Sequence, residues 1–133
     1  MKCYRAVSGP REKLKKLIEQ AYASRLRLSQ ICAERFSQEH LIALREREVE
    51  ELRAMAYLKV IEPPSPPMSI GEEERKNRVI CALIEEKPYR SALTSISRCR
   101  LKINRLNAEI AVLEAGIKKA ESETQLLFIE LEK

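Results

Sequence analysis

Two runs of cations are the residues of this chain best suited to chemistry, and that chemistry is the holding of phosphates. One run is Lys13, Lys15, Lys16, Arg25 and Arg27, with Tyr4 and Tyr22 nearby. The other is Arg90, Arg98, Arg100, Lys102 and Arg105, with Tyr89 at its start. Single-stranded nucleic acid is bound by cations that track its phosphates and aromatic rings that stack on its bases. A formal net charge of +5 and a pI near 9.1 agree in sign with such a partner. A second reading stands beside it: the same cations complement glutamates elsewhere in the chain and serve pairing alone.

Other chemistry is poorly served. The sequence contains no Gly-rich phosphate loop, no HExxH, no nucleophile elbow and a single histidine, His40. Glu72, Glu73 and Glu74 cluster at an expected helix start, where the helix dipole favours negative charge. Glu85 and Glu86, just ahead of Lys87 and Pro88, carry no catalytic spacing either. Cys3, Cys32, Cys81 and Cys99 are scattered, with no CxxC and no Cys/His cluster, so reduced thiols acting as small apolar fillers are expected. The expectation is a non-enzyme without catalytic residues, metal or cofactor. With no apolar run long enough to span a bilayer and no signal-peptide core, it is also expected to be cytoplasmic with no membrane partner.

The element that positions the second basic run is written in sevens. Tyr89, Ile96, Ile103, Ile110, Ile117, Thr124 and Leu131 occupy one heptad position, a. Ala92, Cys99, Leu106, Leu113, Ala120 and Leu127 lie three residues after the first six, at d. A helix of about 45 residues is roughly 68 Å long. No small globular core can cover its stripe, so another long helix must run along it. Self-association is therefore expected through Tyr89, Ile96, Cys99, Ile103, Leu106, Ile110, Leu113, Ile117, Leu127 and Leu131, with Leu93 and Phe128 widening the stripe.

The first basic run belongs to a helix expected over residues 10–61, after an N-terminal tail of residues 1–9. Gly9 suits the N-cap, Pro10 the first helical position and Glu12 the first turn, and no further Gly or Pro intervenes. Its seam of Leu14, Leu17, Ala21, Leu28, Ile31, Ile42, Val49, Leu52 and Ala56 turns polar around Arg35, Gln38 and Arg45. A kink, register change or break near Ser37 is expected there. A helix-turn-helix from Gln30 to Ala43 fits poorly, because Ser37 replaces the turn glycine. Residues 62–68 hold Pro63, Pro64, Pro66 and Pro67, a stiff spacer that ends the helix. A short helix over 69–87 follows, opened by a capping box of Ser69 and Glu72, with Val79, Ile80, Leu83 and Ile84 on its apolar side. Pro88 separates it from the seam helix, residues 88–133.

Charge selects how the long helices meet. Residues 11–35 carry seven basic side chains against three acidic, while 109–133 carry six acidic against three basic. Residues 36–62 carry six acidic against four basic, while 88–108 carry five basic and no acid. Opposite charges face one another only in an antiparallel arrangement. Ile at a with Leu at d is by contrast the recipe for parallel dimers. The charge pattern outweighs it, and the expected fold is all-α: one domain built on an antiparallel coiled-coil hairpin of two long helices, within one chain or between two, with a Pro-rich spacer and a short connecting helix.

Arg78-Val79-Ile80, Leu83-Ile84-Glu85-Glu86, Tyr89-Arg90, Ala92, Arg98, Leu106-Asn107-Ala108-Glu109 and Leu113-Glu114 form a pattern that resembles UvsY-type phage recombination mediators. The resemblance covers about the last 60 residues. It implies that the C-terminal helix drives assembly and that a basic N-terminal part contacts single-stranded DNA, with a recombinase or helicase as further partners. The Pro-rich spacer and the long first helix have no counterpart in it. The resulting expectation is an accessory factor in DNA recombination or replication. The alternative is a protein–protein adaptor, such as a secretion-apparatus stalk or chaperone, with no nucleic-acid contact.

Overall fold

The structure, a computed structural model, describes residues 9–61 and 71–132, which form three helices: α1 (Pro10–Ile61), α2 (Glu72–Ile84) and α3 (Lys87–Glu132). No strand occurs among the described residues, and the two long helices pack against each other. The Pro-rich segment and Ser69 lie outside the described residues.

The helix starts follow local chemistry. The Gly9 carbonyl accepts hydrogen bonds from the amides of Glu12 (3.0 Å) and Lys13 (3.1 Å), so Gly9 closes the first turn and Pro10 needs no donor. Helix α2 starts later than the expected capping box implies. Gly71 is its N-cap, its carbonyl accepting from the Arg75 amide at 3.1 Å, and no side chain caps it. Between α2 and α3 the Glu86 amide donates to the Leu83 carbonyl (2.9 Å), and the Glu86 carbonyl accepts from the Arg90 amide (3.2 Å). Pro88 thus sits in the first turn of α3, where the missing N–H costs nothing.

Helix α1 runs unbroken through Ser37, which excludes the helix-turn-helix and a break at that point. Arg35, Gln38, Ile42 and Arg45 remain half-buried at the a and d spacing, so the register also persists. Long aliphatic stems explain this: Arg and Gln cover a seam with methylenes while their polar heads reach outward. The Arg45 guanidinium reaches Glu48 at 2.8 Å, leaving its Nε buried without a hydrogen-bond partner. Phe36, out of register, is exposed.

The chain divides into two compact units. The first joins the α1 residues up to Arg35 with the α3 residues from Asn104 onward. Its core is Ile31, Leu106 and Ile110, with Leu28, Cys32 and Leu113 packed on them. Arg25 meets Glu121 at 2.6 Å, Arg27 meets Glu109 at 3.1 Å, and Arg35 Nη1 donates to Asn107 Oδ1 at 3.0 Å. These pairs are exposed, so each contributes about 0.2–1 kcal/mol; most of the stability comes from the apolar seam. Thr124, the polar member of that seam, donates its hydroxyl to the Ala120 carbonyl at 2.7 Å and leaves no unmet donor.

The second unit, Phe36–Ile103, draws its core from all three helices. Val49 and Ala56 of α1, Val79 and Leu83 of α2, and Tyr89, Ala92 and Ile96 of α3 form one cluster, with Ile42 and Leu52 against it. Arg100 meets Glu46 at 3.2 Å. Helix α2 buries one row, Val79 and Leu83, and not the broader apolar side expected. Ile80 and Ile84, about 100° further round the helix, face out.

Candidate nucleic-acid interface

The heptad position of each cation decides what it is free to touch. Arg25, Arg27 and Arg100 occupy the e and g positions that flank a seam, and each is joined to a glutamate on the other long helix. Lys102, also at g, is engaged within the chain as well. Lys13 and Lys16 border a shallow groove with Leu17, Glu123, Leu126 and Leu127. Lys15 is exposed on the outer side of α1. Arg90, Arg98 and Arg105 sit at b and c, point outward, and make no ion pair with an acid among the described residues. Pairing and outward display therefore coexist, divided by position.

The outward cations of α3 form a defined surface. Lys87, Arg90, Ser91, Thr94, Ser95 and Arg98 line a shallow depression of about 500 Å³, with no carboxylate among the described residues of its lining. Residues 87, 91, 94 and 98 recur at three- and four-residue steps, which places them on one helix face. Three guanidinium or ammonium groups and three hydroxyls there are all hydrogen-bond donors, the set that a phosphate backbone accepts from. Lys87, Ser91, Thr94 and Ser95 were not among the residues expected from sequence. Their signal is this outer-face spacing, which charge alone does not reveal.

The aromatics divide as well. Tyr89 is buried, and Arg53 Nη2 donates to its hydroxyl at 3.3 Å with the guanidinium 6.0 Å from the ring centroid. It is committed to the core and cannot stack on a base. Tyr22 is 68% exposed on α1 and one heptad after Lys15, where its ring is open to stacking. Tyr4 lies outside the described residues.

The residues expected to drive self-association are largely consumed by the chain's own core. Tyr89, Ile96, Cys99, Leu106 and Ile110 are buried, and Ile103, Leu113, Ile117 and Leu127 are half-buried. Leu131, Leu93 and Phe128 are exposed. Among the described residues no group of three or more His, Cys, Asp or Glu could hold a metal, and no helix is long and apolar enough to cross a membrane. Of the described thiols Cys99 is buried, Cys32 half-buried and Cys81 exposed, all unpaired. Comparison with models of known families, with characterised proteins and with solved structures yields no match.

Proposed function

We propose that this chain is a non-enzymatic, cytoplasmic accessory protein that binds single-stranded DNA through the outer face of α3, in support of recombination or replication. The observation that carries the reading is the depression lined by Lys87, Arg90 and Arg98 with three hydroxyls and, among the described residues, no carboxylate. Lys15 and Tyr22 offer a second, smaller contact with a stacking ring. The resemblance to UvsY-type mediators supports single-stranded DNA as the ligand, although it places the contact in the basic N-terminal part, and adds a recombinase or helicase as a protein partner.

Reversal of the outward cations tests it. Arg90→Glu with Arg98→Glu is expected to weaken affinity for a fluorescent single strand and to leave helicity unchanged, since exposed charges contribute little to folding. The slope of log affinity against log salt should shrink by roughly 0.7 for each phosphate no longer neutralised. Arg25→Glu, which breaks a pair with Glu121, should leave that slope unaltered. Equal affinity for the wild type and the Arg90/Arg98 variant would contradict the assignment and favour the adaptor reading.

The scaffold belongs to the proposal. We infer an antiparallel coiled-coil hairpin, supported by the order of side-chain pairs. In the first unit Arg25 meets Glu121 while Arg35 meets Asn107, and in the second Glu46 meets Arg100 while Arg53 meets Tyr89. In both, partners on α3 fall in number as those on α1 rise. Lysine-directed cross-linking with mass spectrometry should then join Lys13 or Lys16 to Lys118 or Lys119, and mixed isotope labelling should assign the links to single chains. Links from Lys13 or Lys16 to Lys102 instead would contradict the hairpin.

A further inference from the structure

Large apolar side chains are exposed at several places along the long helices, Phe36, Leu101 and Val112 among them, and two such places pair apolar surface with charge of one sign. In the Phe36–Ile103 unit, a cleft of about 700 Å³ opens between the end of α1 and the outer side of α2. Its floor includes Tyr57, Leu58, Val79 and Ile80, and Arg53 and Lys76 are its charged lining residues. Tyr57, Leu58 and Ile80 are 39%, 53% and 47% exposed, high values for side chains of this size. The other place is the last part of α3. Residues 120–132 contain Glu121, Glu123, Glu130 and Glu132 with no Lys or Arg, and among them Leu126, Phe128 and Ile129 are exposed.

We infer that the cleft receives the acidic, apolar end of α3 from a second copy of the chain. Shape is the first support. The lining residues of α2 run from Lys76 to Leu83, two helical turns or about 10 Å, and two neighbouring helices leave a groove into which a third can pack. Leu126 and Ile129 stand three residues apart, so both reach into such a groove from one face. Charge is the second support. Glu123 and Glu130 lie beside Leu126 on the same side of the helix; Glu123 and Leu126 also border the groove that holds Lys13 and Lys16 of their own chain, and the cleft offers the two glutamates Arg53 and Lys76. Lys76 keeps a long contact of 4.0 Å with Glu72 on its own helix, weak enough to be shared. Among the described residues the charged lining is cationic, and set against an acid-rich helix end it fixes partner choice and orientation more than strength.

This interface differs from association through the heptad seam, which the chain already fills with its own side chains. Each copy carries one cleft and one α3 end, so unless two copies reciprocate, molecules add head to tail. A two-turn groove is far smaller than the roughly 800 Å² per partner of a stable dimer. Assembly therefore rises with concentration and disperses on dilution.

The test is sedimentation or light scattering of the full chain across a concentration series, with far-UV circular dichroism as the fold control. The wild-type average mass should climb above 15.4 kDa as concentration rises. Ile80→Asp and Leu126→Asp, both at exposed positions, should each weaken association by about tenfold or more, as removal of an interface anchor does. Lys76→Glu alone and Glu123→Lys with Glu130→Lys alone should also weaken it, and mixing these two charge-reversed proteins should restore association. A mass of 15.4 kDa at every concentration would overturn the inference. So would association insensitive to Ile80→Asp, or mixed charge variants that associate no better than each alone. Sensitivity to Ile80→Asp without sensitivity to Leu126→Asp would assign the cleft to another occupant and overturn it equally. Oligonucleotide binding by the same variants keeps this result separate from the DNA reading, because none of these residues lies on the α3 cation face.

Discussion

Ile110→Asp is expected to unfold the unit formed by the start of α1 and the end of α3, and Ile110→Ala to destabilise it by about 2–5 kcal/mol. Ile110 is buried with Leu106 against Ile31, which is fully enclosed, and Leu28, Cys32 and Leu113 complete the layer. Shortening the side chain removes transfer free energy and leaves a cavity that the stiff Ile31 cannot collapse into. A carboxylate at the same place meets only apolar neighbours in that cluster. It must either lose its hydration without a partner or stay protonated, and both outcomes oppose folding. Urea unfolding followed by circular dichroism measures the Ala variant, and hydrogen exchange locates the effect. Slowed exchange preserved at Leu28–Cys32 and Leu106–Leu113 in the Asp variant would mean that this layer is not a core.

Leu83→Ala carries the other large effect, again about 2–5 kcal/mol, and its consequence is more local. Helix α2 is only 13 residues long, too short to persist in water without packing. It is held by one row, Val79 and Leu83, of which Leu83 is fully buried between α1 and α3. Truncating Leu83 should release α2 before the long helices melt. The expected result is an early drop in exchange protection confined to residues 75–84. Ile84→Ala, at an exposed position one residue on, should change stability by less than about 0.5 kcal/mol. Equal costs for the two variants would mean that α2 docks by a different face.

The α3 seam was legible because Ile and Leu recur at 3.5-residue spacing. Burial follows that lettering from Tyr89 through Leu127 and fades at Leu131, where the helix end is exposed. The unbroken course of α1 was not legible. Arg35, Gln38 and Arg45 read as a polar interruption, yet their methylene stems keep the register where the composition alone argues against it. The boundary between the two units falls at Arg35 and Phe36, within this polar stretch, and the helix continues through it. The buried row of α2 was half legible. Val79, Ile80, Leu83 and Ile84 have equal claims by hydrophobicity, and only docking against α1 and α3 selects the first and third.

The cation surface was legible by residue type and obscured by position. The ten basic residues that stand out in the sequence include Arg25, Arg27 and Arg100, which spend their charge on Glu121, Glu109 and Glu46. Heptad lettering separates these e and g residues from outward Arg90, Arg98 and Arg105, and adds Lys87 with its hydroxyl neighbours. Tyr89 reads as a stacking ring beside the second basic run, but it is also the first a position of the seam, and the seam prevails.

Ultraviolet cross-linking of a thymine-rich single strand, followed by peptide mass spectrometry, tests whether the outer face of α3 holds a phosphate backbone. Adducts are expected on peptides covering Lys87–Arg98 and should disappear as salt is raised, with a lesser yield on the peptide holding Tyr22. Adducts confined to other segments, or none at low salt from a folded protein, would contradict this assignment.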